Sequence, residues 1–322
     1  MELYFAPMEG ITIYSFRQVH HRFFPGMDRY YSPFLVATQT HSFKKREIRE
    51  ILPENNQGIC LIPQILGNHA EDCLEAIRTL SSYGYREINF NLGCSMPQVA
   101  KRGRGAGFLA RPQQLDRFFE ELFDGMEKDE ALSDVRLSVK TRIGDSDPGE
   151  AARLIEIYNR YPICELIVHP RLRTDLYKNT PDLETFARFY EECRHPLCYN
   201  GDIFSTGACQ EIARRFPRLQ AVMMGRGLIM DPSLADQIRE SSGEKDPAAD
   251  GMLLEEYLLA LREAYLTHMQ DEQVVPRLKE IWYYMAWHYD RGIRDSRLMK
   301  NLRKVHTWNE FAQMQHLLLQ QW

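Results

Sequence analysis

Eight short apolar runs, separated mostly by longer stretches with helical spacing, set the tightest limit on how this 322-residue chain can fold. The runs span residues 3–6, 30–36, 59–66, 87–91, 136–141, 164–169, 196–200 and 220–224. Amphipathic stretches lie between them at 69–83, 112–128, 148–161, 182–193 and 206–216. Several open with a capping residue or an early proline, as at Asp147 before Pro148 and Thr180 before Pro181. Strands alternating with helices at this spacing predict an α/β fold, a (β/α)8 TIM barrel rather than a doubly wound sheet. After Ile238 the pattern changes. Residues 241–247 are polar and rich in turn formers and read as a linker. Beyond them no strand-like run occurs. Leu253, Tyr257 and Leu261, then Leu278, Ile281, Trp282, Met285 and His288, and finally Leu298, Leu302 and Val305 recur at helical spacing. The expected organisation is a barrel over 1–240 and a small all-α bundle of three or four helices over 247–322.

With 26% charged and 44% hydrophobic residues, the chain has an ordinary globular composition. Its formal net charge of −5 excludes a polycation, so any contact with nucleic acid must come from a local basic patch. Seven cysteines, none in a C-x-x-C pair, argue against a zinc site or a disulfide framework and for a reducing compartment. No metal is expected. No basic, apolar leader opens the sequence, and no apolar run approaches a membrane span, so a cytoplasmic protein is the default.

The informative polar residues sit where the predicted strands end. In order they are Pro7 with Met8 and Glu9, Gln64, Asn91 with Cys94, Lys140 with Arg142, His169, Asn200 with Gly201 and Asp202, and Gly225 with Arg226 and Gly227. Taken singly, Gln64 reads equally as a satisfied core amide, Lys140 as a snorkelling lysine and His169 as a loop cap. Together they occupy one rim, the rim on which barrels place their chemistry. Glycines after the seventh and eighth strands suit a phosphate, and Arg226 adds a bidentate contact. Lys140 suits a ring that accumulates negative charge. Gln64 and Asn91 can donate and accept, which suits a ring edge of mixed polarity. A lone cysteine is usually a small buried hydrophobe, and the other six read that way. Cys94 differs: it follows a glycine at a strand end, and Lys101, Arg102 and Arg104 come after it. The run 103–107, Gly-Arg-Gly-Ala-Gly, lacks the strand-turn-helix setting of a dinucleotide fingerprint and reads as a mobile loop beside Cys94.

These residues resemble the tRNA-dihydrouridine synthases. The likeness is carried by 6–10 (Ala-Pro-Met-Glu-Gly), 64–67 (Gln-Ile-Leu-Gly) and 91–94 (Asn-Leu-Gly-Cys) followed by 105–109. It continues through 138–144, 168–171, 200–203 and 224–227, in the family's order and spacing, and into Arg277, Leu278 and Lys279 of the tail. The resemblance implies reduction of the C5=C6 bond of uridine in tRNA, with FMN bound and NADPH as reductant. It makes Cys94 the acid that protonates C5. It gives Pro7, Met8, Gln64, Lys140, His169, Asn200, Gly201, Asp202, Gly225 and Arg226 to the cofactor. Asn91 and Arg142 would face the uridine or the flavin edge, and Arg171, Arg277 and Lys279 the RNA. Two departures stand out: Ser95 follows the cysteine where the family usually has proline, and Pro170 follows His169 where it commonly has glycine.

In the tail, Arg291, Arg294, Arg297, Lys300, Arg303 and Lys304 face one acid, Asp295. Arg297, Lys300 and Lys304 share a helical face and are expected to touch RNA phosphates, although such runs are usually solvated faces. Tyr283, Tyr284, Trp287 and Trp308 could stack on bases, but their helical spacing favours packing. No obligate protein partner is evident and a monomer is expected. The alternative is a flavin barrel that reduces a small pyrimidine or an enoate.

Overall fold

The computed structural model describes residues 1–240, 247–289 and 296–320. They divide into two compact units. The first holds Met1–Pro7, Asp28–Asp202 and Glu211–Met224; the second holds Met8–Met27, Ile203–Gln210 and Gly225–Trp322.

The first unit is built on ten strand segments in one parallel sheet. They are β1 (Glu2–Phe5), β2 (Arg29–Tyr31), β3 (Leu35–Val36), β4 (Leu61–Ile62), β5 (Gln64–Leu66), β6 (Glu87–Leu92), β7 (Arg136–Gly144), β8 (Leu166–Leu172), β9 (Leu197–Asn200) and β10 (Ala221–Met224). The order is β3-β5-β6-β7-β8-β9-β10-β1-β2-β4. β2 and β3 are halves of one stave, interrupted at Pro33, and β4 and β5 are halves of the next, interrupted at Pro63. Proline cannot donate to a ladder, so each stave breaks there. Because β2 pairs with β4 and β3 pairs with β5, the two ends of the sheet are the same two staves. The sheet therefore closes into the expected eight-stave barrel.

The staves are buried on both faces, as parallel barrel strands must be; all six residues of β6 are buried. Alternation sorts them. Phe90 points outward and its ring stacks on Phe118 of the helix Pro112–Glu127, centroids 5.0 Å apart. Asn89 and Asn91 point the other way, into the barrel. The interior below them is filled by Tyr4, Tyr31, Ile62, Ile167 and Met223. Pro170 lies within β8, and there the ladder slips: Arg142 pairs with His169 but Gly144 pairs with Leu172. The extra residue on β8 forms a bulge, which is where a proline inside a central strand is tolerated.

Near the start of β8, Glu165 is buried beside Tyr4, whose Oη lies 3.0 Å from Glu165 Oε1 and 2.6 Å from Glu2 Oε2. Glu165 Oε2 has no hydrogen-bond partner among the described residues. Burial pushes this carboxyl from 4.5 up to about 7, against the opposing pull of Tyr4 and Arg29. An acid whose folded pKa is raised contributes stability that is complete below its unfolded pKa and is lost as pH climbs through the folded value. Glu165→Gln is therefore expected to stabilise the protein at pH 8 by about 2 kcal/mol while changing little at pH 4.5. Thermal unfolding at the two pH values checks this; an equal shift at both would contradict it.

The second unit joins the chain's beginning to its end. Phe16, Phe23 and Phe24, in and just after the helix Tyr14–Phe23, contact the ring of Tyr257, with centroids 6.5, 5.8 and 5.2 Å away. His20 Nε2 lies 3.1 Å from the carbonyl of Pro232, and an Arg277 guanidinium nitrogen donates to the carbonyl of Gly10. The tail forms helices Pro247–Leu266, Asp271–Tyr289, Arg297–Leu302 and Trp308–Leu319. Leu254, Tyr257, Leu258 and Leu261 are buried, whereas Leu253, expected on the inner face, is exposed. The real stripe is set one residue further on, toward Leu254 and Leu258. Residues 241–246 of the expected linker, Arg291, Arg294 and Asp295 lie outside the described residues, as does the side chain of His288. No helix among the described residues is long and apolar enough to cross a membrane.

Candidate active site

Adjacent staves place their polar residues in register. Gln64 pairs with Asn89, Asn91 with Lys140, and Arg142 with His169. A hydrogen-bonded chain rises from the barrel interior to the thiol loop. Asn89 Nδ2 donates to Ser138 Oγ (3.0 Å), and Gln64 Nε2 donates to Asn89 Oδ1 (2.7 Å). Asn91 Nδ2 donates to Gln64 Oε1 (2.7 Å), while Asn91 Oδ1 accepts the backbone N–H groups of Gly93 (3.1 Å) and Cys94 (2.9 Å). This directionality sharpens the expectation of mixed polarity. The carbonyl ends of Gln64 and Asn91 are used inside the protein, so what each amide still offers is a single N–H.

Cys94 is half-buried on the loop after β6, which is held from three directions. Asn91 holds its N–H groups from below. The carbonyl of Cys94 accepts from Ala106 at 2.9 Å. Arg142 grips it from the side, with Nε donating to the Gly93 carbonyl at 3.0 Å and Nη2 lying 3.4 Å from Ser95 Oγ. The segment Gly105–Phe108 is a buried 3-10 turn packed on Cys94, rather than the mobile loop expected. Gly105 is required there. Its φ is +55°, and a Cβ would come within 2.7 Å of the Cys94 carbonyl oxygen and 3.0 Å of Cys94 Cβ. Among the other cysteines, Cys73, Cys198 and Cys209 are buried as expected. Cys60 is exposed and Cys164 and Cys193 are half-buried, which corrects that expectation, because all three lie in loops outside the packed elements.

Lys140 makes no hydrogen bond or ion pair with any described residue, although its stave is buried. A Cβ built on Gly93 would stand 3.8 Å from Lys140 Nζ, which places the ammonium beside the thiol loop. Burial, reinforced by the charge of Arg142, pushes Lys140 from 10.5 down to about 8, while Cys94 and Cys198 pull it up. The cation has no partner among the described residues, and Asn91, in register beside it, has one N–H to spare, so together they present donors. They fit an electron-rich, acceptor-bearing ring edge such as that of a flavin.

Arg142 is only 1% exposed, and its donors are committed. Besides the thiol loop, it donates to the Leu172 carbonyl (2.8 Å) and to the Leu176 carbonyl from both terminal nitrogens (3.0 Å each). Its guanidinium carbon lies 5.6 Å from the Tyr177 ring centroid. Read from sequence as facing the substrate, Arg142 is here a clamp between two rim loops. Arg171, read as an RNA contact, is 2% exposed and takes a different task. It donates to both carboxylate oxygens of Asp202 (2.8 and 2.5 Å), to the Asn179 carbonyl (2.6 Å) and to His169 Nε2 (3.1 Å). A guanidinium only donates, so His169 Nε2 accepts and its ring proton sits on Nδ1. Asn200 Nδ2 donates to the Met223 carbonyl at 2.8 Å. Gly201 must be glycine, since a Cβ there would come within 2.1 Å of Tyr199 Oη. Pro7 follows β1 on the same unit.

Met8, Gly225 and Arg226 belong to the second unit. The Met8 carbonyl accepts from Ile11 and Thr12, both at 3.0 Å. Gly225 precedes the short helix Arg226–Met230, and the Arg226 guanidinium carbon stands 5.3 Å from the Phe204 ring centroid. In the tail, Arg277 is bound to the Gly10 carbonyl, and Lys279 Nζ donates to the Val305 carbonyl at 3.0 Å. These two are thus structural contacts. Arg297, Lys300 and Lys304 are exposed, but the helix ends at Leu302, so Lys304 lies past it and shares no helical face with the others.

The sequence reading passed over Asn89 and Ser138, and took Tyr177 only as the end of a basic and aromatic segment, 171–177, suited to RNA rather than as a neighbour of Arg142. Asn89 had a usable signal: it stands two residues before Asn91 and so faces the same way. Tyr177 had none, because its place depends on a loop folding over Arg142. Among the described residues, no group of three or more His, Cys, Asp or Glu could hold a metal ion.

A closed parallel barrel with a thiol, a half-buried lysine and oriented amides on its C-terminal rim is the framework of a barrel enzyme. A family model described as dihydrouridine synthase matches residues 4–319. The chain belongs to the dihydrouridine synthase family. It is 26% identical over 309 residues to a tRNA-dihydrouridine(16) synthase of Ralstonia nicotianae, covering 91% of this chain and 92% of that one. It is 27% identical over 288 residues to tRNA-dihydrouridine synthase B of Pseudomonas aeruginosa, covering 88% and 83%. Among solved structures, morphinone reductase with tetrahydroNAD superposes with a TM-score of 0.52 at 12% identity, covering 76% of this chain and 88% of that one. A 2-naphthoyl-CoA reductase gives 0.57 at 13% identity, covering 74% and 50%. At such identities the likeness concerns the fold alone.

Proposed function

We propose that this chain reduces the C5=C6 bond of uridine in tRNA, using FMN held on the barrel rim and NADPH as the source of electrons. The observation that carries the reading is Cys94 beside the unpaired Lys140 on the rim of a chain that the dihydrouridine synthase family matches almost end to end. When bound, FMN supplies the hydride that C6 receives.

The chain's own residues do the rest. Neither ring carbon is reachable in a stacked helix, so the base must be flipped onto the rim. Cys94 gives its thiol proton to C5, and the thiolate regains one from solvent. The charges of Lys140 and Arg142 lie within electrostatic reach of that sulfur and stabilise it while it is bare. By resemblance to the family, the cofactor is held by Gln64, Lys140, His169, Asn200 and Gly201, with Pro7, Met8, Gly225 and Arg226. Asp202 acts there through its pair with Arg171. We assign catalysis to 1–240 and RNA binding to 247–322, in a cytoplasmic monomer.

The test is direct. Purified protein reconstituted with FMN is mixed with unmodified tRNA transcript and NADPH, and the RNA is digested and weighed. A two-hydrogen mass gain on uridine supports the reading. Reduction of free pyrimidines or enoates without any change in tRNA overturns it.

Lys140 adds a pH signature. Its charge in the free protein is lost as pH rises through about 8. If FMN requires the charged form, affinity falls about tenfold per pH unit above that value and is flat below it. Titrating FMN fluorescence from pH 6.5 to 9.5 measures this, and Lys140→Met should flatten the profile.

A further inference from the structure

On the helix Asp271–Tyr289, Leu278, Ile281, Trp282 and Met285 are buried and form the inner face. Tyr283 and Trp287 fall on the opposite face, one helical turn apart, and are 45% and 51% exposed. Their ring centroids are 6.4 Å apart with an interplanar angle of 68°. This corrects the sequence expectation that both are packed. The turn that follows the helix Arg297–Leu302 is tied to this helix, because Lys279 Nζ donates to the Val305 carbonyl. That tie carries Arg303 across to Tyr283, its guanidinium carbon 5.7 Å from the ring centroid. Arg297, Lys300, Arg303 and Lys304 are all exposed. None of them forms an ion pair with any described residue, in a chain whose net charge is −5.

We infer that Tyr283, Trp287 and Arg303 form a stacking platform for unpaired nucleotides of the RNA substrate, with Lys300 and Lys304 beside it for the phosphates. The inference rests on the reading that tRNA is the substrate, and it names where and how the helical tail takes hold of it. The concentration of positive charge on this segment favours RNA over a protein partner. Exposed aromatic faces next to a guanidinium are the elements of base stacking. Arg303 at the Tyr283 ring, with further exposed cations on the same short segment, suits a phosphate backbone, whereas the core of a protein interface is depleted in lysine. The platform is sequence-tolerant, so it orients the RNA without selecting the uridine.

The experiment is equilibrium binding of an unmodified tRNA transcript to the full-length protein across a salt series. The double variant Tyr283→Ala, Trp287→Ala is expected to bind about tenfold more weakly with an unchanged salt slope. Lys300→Gln and Arg303→Gln should each reduce the slope by about one. Trp287→Phe, which keeps an aromatic face, should stay within roughly twofold of wild type. Its tRNA-induced fluorescence quenching should nonetheless shrink, a readout that holds if the alanine variant misfolds. Single-stranded oligouridylate should compete better than a duplex of equal length. A folded double variant that binds like wild type, quenching unchanged in Trp287→Phe, or equal competition by the duplex would each overturn the platform. If wild type leaves tRNA unmodified but binding still depends on Trp287, the assigned reaction fails and the platform stands.

Discussion

Cys94→Ala is expected to lower the rate of uridine reduction by about a thousandfold, the scale of a lost general acid. It should leave flavin binding and tRNA affinity unchanged. The loop that carries the thiol is fixed by contacts that do not involve its sulfur: the Asn91 side chain, the Ala106 N–H and the Arg142 guanidinium. Alanine can keep every one of them. The loss should therefore fall on kcat and not on KM, with a flavin absorbance identical to wild type. Single-turnover reduction of tRNA measures it. A variant that turns over normally removes Cys94 from the chemistry, and one that loses its flavin shows a role in binding instead.

Arg142→Lys should be nearly as damaging, for a different reason. The substitution keeps the positive charge but not the fork. Arg142 reaches four acceptors on two loops, the Gly93, Leu172 and Leu176 carbonyls and the Ser95 hydroxyl. A lysine satisfies at most part of this set and leaves buried carbonyls unpaired. A stability loss of about 3 kcal/mol is expected. The thiol loop is also released on one side, and a misplacement on the order of 1 Å reduces turnover by about a hundredfold. On this prediction Arg142 acts through Cys94's loop, as a positioning residue. The telling readout is a lower kcat with flavin retained, measured together with thermal unfolding. Full activity in a merely destabilised variant would show that the clamp serves the fold alone.

Much of the barrel was legible because its physics is local. Each stave is a short run buried on both faces, and each of the eight expected runs falls on a strand or a broken pair of strands. The breaks at Pro33 and Pro63 were not read, since 30–36 and 59–66 were each taken as one run. The rim residues were legible for the same reason: a polar side chain closing an apolar run must either find a partner or face a ligand. The partners were not legible. Nothing local says that Arg171 would be spent on Asp202, or that Arg142 would bind carbonyls at Leu172 and Leu176, some thirty residues away. Nor did helical spacing reveal that Tyr283 and Trp287 face solvent, since an aromatic stripe reads alike on either face of a helix.

By itself, the sequence determined the alternation of strand and helix, the closed barrel it implies, and the set of chemical groups at the strand ends, because these follow from periodicity and burial over a few residues. Only the tertiary structure decided which of those groups are consumed by one another and which, like Lys140, are left without a partner among the described residues. It also decided that the first helix of the chain packs with the tail through Tyr257. The reason is that hydrogen-bond satisfaction is settled in space: a donor's fate depends on which acceptors the fold brings within 3 Å or so, and that distance has no counterpart along the chain.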